Sequence, residues 1–209
     1  MSISLKMRTA HYLIKLSLLL FFLSYSRTSF AQALDGSFYT IGSPTVVDYF
    51  IDPLSGNDAA SGLNRNNPKR TVTAIWNAIP ENQTLTSGYR INLLPGLYGT
   101  EELPNYWENR KGSITAPIIL QALDGYGTVF FTRDINMAGT DYFYLIGINI
   151  KNQTTQGYGD AFHCERCSYI LLRGNSFNGA PEGRDTEADI AHETIKFNQS
   201  QYILSLIHI

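Results

Sequence analysis

Ala161-Phe-His-Cys164-Glu-Arg-Cys167-Ser-Tyr169-Ile-Leu-Leu172 is the stretch that decides the fold, because the chain writes it again. The second copy is Thr194-Ile-Lys-Phe197-Asn-Gln-Ser-Gln-Tyr202-Ile-Leu204. Setting Tyr169 on Tyr202 places Phe162 on Ile195, Cys164 on Phe197 and Ile170 on Ile203. An earlier copy, Ile135-Asn-Met137-Ala-Gly-Thr-Asp-Tyr142-Phe-Tyr-Leu-Ile-Gly147, keeps the same frame, with Ile135 on Phe162, Met137 on Cys164 and Gly147 on Gly174. The periods are 27 residues (142 to 169) and 33 residues (169 to 202).

Each copy is a run with apolar residues two apart, a polar break, and a second apolar run. Alternation at period two sends one set of side chains inward. The breaks, Glu165-Arg-Cys-Ser and Asn198-Gln-Ser-Gln, have turn composition. One such unit cannot bury its apolar side alone, but a stack of them can, and self-similarity at this period marks a solenoid. With no helical pattern between the strands, the expectation is an all-β coil of parallel strands, a β-helix. An antiparallel sandwich is the alternative, since its strands also recur at short spacing.

Outward from this centre, Thr71-Val-Thr-Ala-Ile-Trp-Asn-Ala-Ile79 carries Val72, Ile75, Trp76 and Ile79 at helical spacing and is ended by Pro80. A short amphipathic helix over Thr71–Ile79 is predicted, placed to cover the open apolar end of a first coil. Residues 1–31 read as an export leader: Lys6, Arg8 and Lys15, an apolar run to Leu23, then Ser29-Phe30-Ala31. The run is shorter than a membrane span, and a retained anchor is the alternative. Residues 32–48 read as a linker and 49–209 as the coil domain. Without the leader, 12 basic groups face 18 acidic ones. That excess of acid argues against a nucleic-acid partner, which calls for a basic face. Two cysteines, Cys164 and Cys167, exclude a disulfide framework. The frame places Cys164 in the core and Cys167 in the turn, leaving a local disulfide, two free thiols or, with no second pair to complete it, a metal site open.

Tyr49-Phe-Ile-Asp-Pro53, Gly56-Asn-Asp58, Ser61-Gly62, Pro68 and the predicted helix together resemble the start of secreted right-handed parallel β-helix proteins of the pectate-lyase-like superfamily. Tyr89-Arg-Ile-Asn-Leu-Leu-Pro-Gly-Leu-Tyr98 resembles their first coil, and Ala116–Ala122 with Gly127–Phe131 their second. The resemblance runs from about Tyr49 to Tyr202. It implies a right-handed β-helix with a short N-terminal capping helix and a protein that meets a polysaccharide. It does not choose among lyases, hydrolases, epimerases and adhesins.

The longer 33-residue period marks an insertion, Asn178 to His192. Insertions in solenoids collect on one face. Asp185, Glu187 and Asp189 supply oxygens of the kind Ca²⁺ takes, and Arg184 and His192 are candidate substrate contacts. Lys196 lies between two inward residues and so points outward, beside Glu193. Its equivalent one copy earlier is His163. β-Elimination of a uronate needs a base for the α-proton and a cation or proton donor for the carboxylate. The superfamily's lyases are similar in using a Lys or Arg base beside calcium held by Asp or Glu. Catalysis is therefore expected at Lys196, Glu193 and His163, with Ca²⁺ at 185, 187 and 189 and an acidic polysaccharide as partner. A glycoside hydrolase would draw on Asp160, Glu165 and Glu193 instead, but no Asp-Asp cluster is present. A binding protein without catalysis is the third reading. The chain stops in mid-repeat at Tyr202-Ile-Leu-Ser-Leu-Ile-His-Ile209, and a fragment prone to aggregate is the expectation there.

Overall fold

The computed structural model describes residues 41–151, 160–178 and 194–206. Contacts group Ser43–Ile209 as one compact unit and Met1–Gly42 as another. In the first of these, three parallel sheets wind around one core. The first sheet is built from β1 (Val46–Ile51), β2 (Gly88–Leu93), β5 (Ile118–Ala122), β8 (Phe143–Ile146), β11 (Ser168–Arg173) and β14 (Gln201–Leu206), in that spatial order. The second runs β4 (Trp107–Glu108), β7 (Ile135–Ala138), β10 (Phe162–Glu165), β13 (Ile195–Asn198). The third runs β3 (Gly96–Tyr98), β6 (Val129–Phe131), β9 (Ile148–Lys151), β12 (Ser176–Asn178). Neighbours in each sheet come from successive coils, which makes this a parallel β-solenoid and excludes the antiparallel sandwich.

The register follows the sequence frame. Ile135, Phe162 and Ile195 pair in one column, and Met137, Cys164 and Phe197 in the next. Ile170 pairs with Ile203. Inward columns are apolar because a coil's interior faces only the coils above and below. Ile91, Leu120, Leu145 and Leu172 line one such column, and all are buried. Outward positions between them alternate with polar groups such as Arg90 and Asn92 in β2.

Two kinds of corner turn the chain. From the second sheet to the first, the turn carries a left-handed residue at each end: Gly139 and Tyr142, Arg166 and Tyr169, Gln199 and Tyr202, all with φ between 51° and 58°. From the first sheet to the third, one left-handed glycine suffices, Gly147 (φ 75°) or Gly174 (φ 58°). At the second of these corners Asn175 is buried, and its amide replaces a missing rung. Its Nδ2 donates to Leu145 O at 2.8 Å, and its Oδ1 accepts from Ile148 N at 2.9 Å.

The helix α1 (Val72–Trp76) is shorter than the predicted Thr71–Ile79. Thr71 caps it, its hydroxyl accepting from Ala74 N. Ala78 N and Ile79 N then bond three residues back, to Ile75 O and Trp76 O, so the last turn tightens and leaves the α-helix before Pro80. All four residues of the predicted stripe are nonetheless buried. Trp76 meets Trp107 of β4 edge-on at 4.8 Å and Phe143 at 6.1 Å. Arg110 lies over the Trp76 ring at 5.3 Å and reaches Glu81 at 2.8 Å. Among the described residues no helix is long and apolar enough to cross a membrane.

The sequence frame assigned Cys167 to the turn; it sits there but points inward and is buried. It is bonded to Cys164, with Cα atoms 6.0 Å apart. The reason is the corner itself: the position two before each left-handed tyrosine faces the interior, as Thr140 does one coil earlier. A sulfur there meets the sulfur three residues back.

Candidate functional site

The second sheet carries the candidate residues that lie in described segments. His163 alternates with buried Phe162 and Cys164 in β10, which sends it to the outer surface. It pairs in register with Lys196 of β13 on one side and Asn136 of β7 on the other. Asn136, His163 and Lys196 thus form an outward column, one residue per coil, at rungs about 4.8 Å apart. The neighbouring column holds Glu108, Ala138, Glu165 and Asn198.

Within this surface, Asn198 Nδ2 lies 3.2 Å from His163 Nε2. With the amide donating, Nε2 accepts and the ring proton sits on Nδ1. Asn198 stands two residues after Lys196, on the same side of β13. Sequence reasoning passed it over as part of a turn, though period-two alternation from Lys196 would have found it. Glu165 is paired with Arg166 at the start of the corner turn. Arg133, next to β7, donates from Nη1 to Asn105 Oδ1 at 2.8 Å and faces Asp134 at 3.9 Å.

The remaining candidates are Arg184, Asp185, Glu187, Asp189, His192 and Glu193. All six lie outside the described residues, in the connection between β12 and β13. Among the described residues, no group of three or more His, Cys, Asp or Glu side chains could hold a metal ion.

Beside the second sheet runs a ladder that the sequence frame located. Tyr142 and Tyr169 stack at 4.3 Å with planes 10° apart, and Tyr169 and Tyr202 at 4.6 Å with planes 11° apart. Each ring covers its neighbour's face, so the stack is internal support for the corner turns, as the frame suggested. The Tyr142 phenol is held above the ordinary tyrosine range, first by partial removal from water and then by the adjoining Tyr169. In the outward column before the tyrosines, Lys111 Nζ meets Asp141 Oδ2 at 3.0 Å, and Ser168 Oγ donates to Asp141 Oδ1.

No family model matches the chain, and none of the curated proteins does. Among solved structures it is similar to a rhamnogalacturonan lyase, at 14% identity and a TM-score of 0.46, over 73% of this chain and 50% of that one. The chain therefore spans about half the length of that lyase.

Proposed function

We propose that this chain is an exported, polysaccharide-lyase-like β-helix protein that acts on a uronate-containing polysaccharide by β-elimination. The observation that carries the reading is the pairing of His163 with Lys196 on adjacent rungs of one outer surface. In that role Lys196, in its neutral form, takes the proton α to the uronate carboxyl group; the bond from the β carbon to the glycosidic oxygen breaks as the carbon–carbon double bond forms, and water protonates the leaving oxygen. His163, with its proton on Nδ1, donates toward the carboxylate as charge develops. Asn198 is a positioning residue that holds the imidazole tautomer. The connection that enters β13 contributes Glu193 to the base's surroundings, Arg184 and His192 to the substrate, and Asp185, Glu187 and Asp189 to a Ca²⁺ ion. Calcium there would neutralise the substrate carboxylate.

Two features support the remaining parts of the reading. A right hand is the one that parallel crossover connections take in about 98% of cases. The Cys164–Cys167 disulfide is of the kind that persists in oxidising compartments, which supports export and fits the leader at 1–31. The short helix α1 is read as the cover of the first coil.

The test is release of unsaturated uronate product, followed by ultraviolet absorbance, from polygalacturonate, rhamnogalacturonan and alginate, with and without chelator. Product should appear with one of them, and Lys196→Ala should lower the rate by about 10²–10⁴, the range for a positioned acid or base. New reducing ends without unsaturation would replace the lyase by a hydrolase. Retarded migration in a polymer-containing gel with no product would leave only binding.

A further inference from the structure

The outward column of the second sheet does not stop at Asn136. Trp107 of β4 pairs with Met137 and is buried, so the residue before it, Tyr106, stands on the outer side at the rung of Asn136. The column then reads Tyr106, Asn136, His163, Lys196, one residue per coil. Tyr106 is 62% exposed. The other exposed tyrosines serve the fold: Tyr169 and Tyr202 lie in the corner stack, and Tyr126 lies against Gly147 and Gly174. Tyr106 has no ring partner and no hydrogen bond to its hydroxyl among the described residues. Its backbone is nevertheless fixed. Pro104 and Trp107 are buried on either side of it. Asn105 Oδ1 accepts from Nη1 of the largely buried Arg133 at 2.8 Å.

We infer that Tyr106 is the platform of a subsite for a neutral sugar ring, on the surface that holds the uronate at Lys196 but apart from it. The inference rests on the polysaccharide reading above. Shape selects a sugar: the flat apolar face of a phenol ring matches the C–H face of a pyranose, and a tyrosine presents that area at little entropic cost. Charge selects a neutral one. The ring face is electron-rich. Glu108, one alternation further along β4, is also exposed, and its carboxylate has no ion pair among the described residues. A uronate at Tyr106 would meet like charge, whereas the other end of the column offers the nitrogen donors of His163 and Lys196. Three rungs, roughly 14 Å, separate Tyr106 from Lys196, so the two positions take different sugars of one polymer.

Retention of the full 209-residue chain in polymer-containing gels reads this apart from catalysis. The probes are polygalacturonate, a uronate homopolymer, and rhamnogalacturonan, whose backbone alternates a uronate with a neutral sugar. Tyr106→Ala should weaken retention by rhamnogalacturonan about tenfold and retention by polygalacturonate by less than about twofold. Tyr106→Phe keeps the ring and should bind as the native chain does. Glu108→Gln should tighten retention by polygalacturonate. Circular dichroism checks the fold of each variant, and Glu108→Gln tests the same subsite with the ring in place. Equal losses on both polymers overturn the inference. So does no loss on either, a native chain that rhamnogalacturonan does not retain, or a Glu108→Gln variant that holds polygalacturonate no tighter. Retention that depends on Tyr106 with no unsaturated product would remove the lyase and keep the subsite. Unsaturated product formed from rhamnogalacturonan with a KM that Tyr106→Ala leaves unchanged would keep the lyase and remove the subsite.

Discussion

Replacing Tyr169 by alanine and by glycine separates the two physical terms at the corner ladder. Its ring lies between Tyr142 and Tyr202, at 4.3 Å and 4.6 Å. Stacked pairs contribute about 0.5–1.5 kcal/mol each beyond area burial, so either variant loses roughly 1–3 kcal/mol. The backbone at Tyr169 is left-handed, φ 57°. An L side chain there costs about 1–2 kcal/mol, which alanine retains and glycine relieves. Glycine in turn loses about 0.4–1 kcal/mol to its freer unfolded chain. The glycine variant should therefore be the more stable of the two by roughly 0.5–1 kcal/mol. Urea denaturation of both variants reads this directly. Leu171, in the middle of β11, is the control, because extended backbone restores the usual order with alanine ahead. An alanine variant at 169 as stable as the glycine one would refute the claim that this residue is held in strained backbone.

Three further outcomes are expected. Replacing Cys164 and Cys167 together by alanine should lower stability by about 2 kcal/mol, the chain-entropy value for so short a loop, and the difference from the native chain should vanish under strong reductant. Gly174→Ala places a methyl 2.3 Å from the Tyr126 ring on backbone of φ 58°; the ring is exposed and can swing away, so the thermal midpoint should fall by the equivalent of about 1–2 kcal/mol and removing the ring with Tyr126→Ser should restore little of it. Burial pushes the Asp52 carboxyl up, but the Ser55 hydroxyl and the N–H groups of Leu54 and Ser55 outweigh it and hold it below its ordinary value. Such a depressed group contributes stability above the unfolded carboxylate range that is lost as pH falls through its folded value. Asp52→Asn should flatten the acid limb of a stability–pH profile and leave the neutral region's slope unchanged.

The frame at Tyr142, Tyr169 and Tyr202 was legible because a solenoid repeats its environment, so equivalent rungs select equivalent residues. The same frame gave the pairing of His163 with Lys196. It could not show that the tyrosines are left-handed: Asn and Gly announce such backbone by composition, as at Asn109 and Gly139, whereas an aromatic residue does not. The inward direction of Cys167 was hidden for a related reason. Turn composition speaks of polarity, and its position two residues before the left-handed tyrosine decides which way the side chain points. The helix over-ran because Ile79 keeps helical spacing while Pro80 has already ended the α-helical hydrogen bonding. For the acidic insertion no inward column exists to be read, so its residues could be chosen only by type.

Burial along the solenoid is graded, from the Trp76–Trp107–Phe143 cluster toward Phe197 and Ile203. In an array where each rung touches only the next, that grade becomes a direction. Amide hydrogens should exchange faster in the half-buried β13 and β14 than near β4, β7 and β8. The candidate lysine stands on one of those half-buried rungs, where opening costs less than in the dry coils before it.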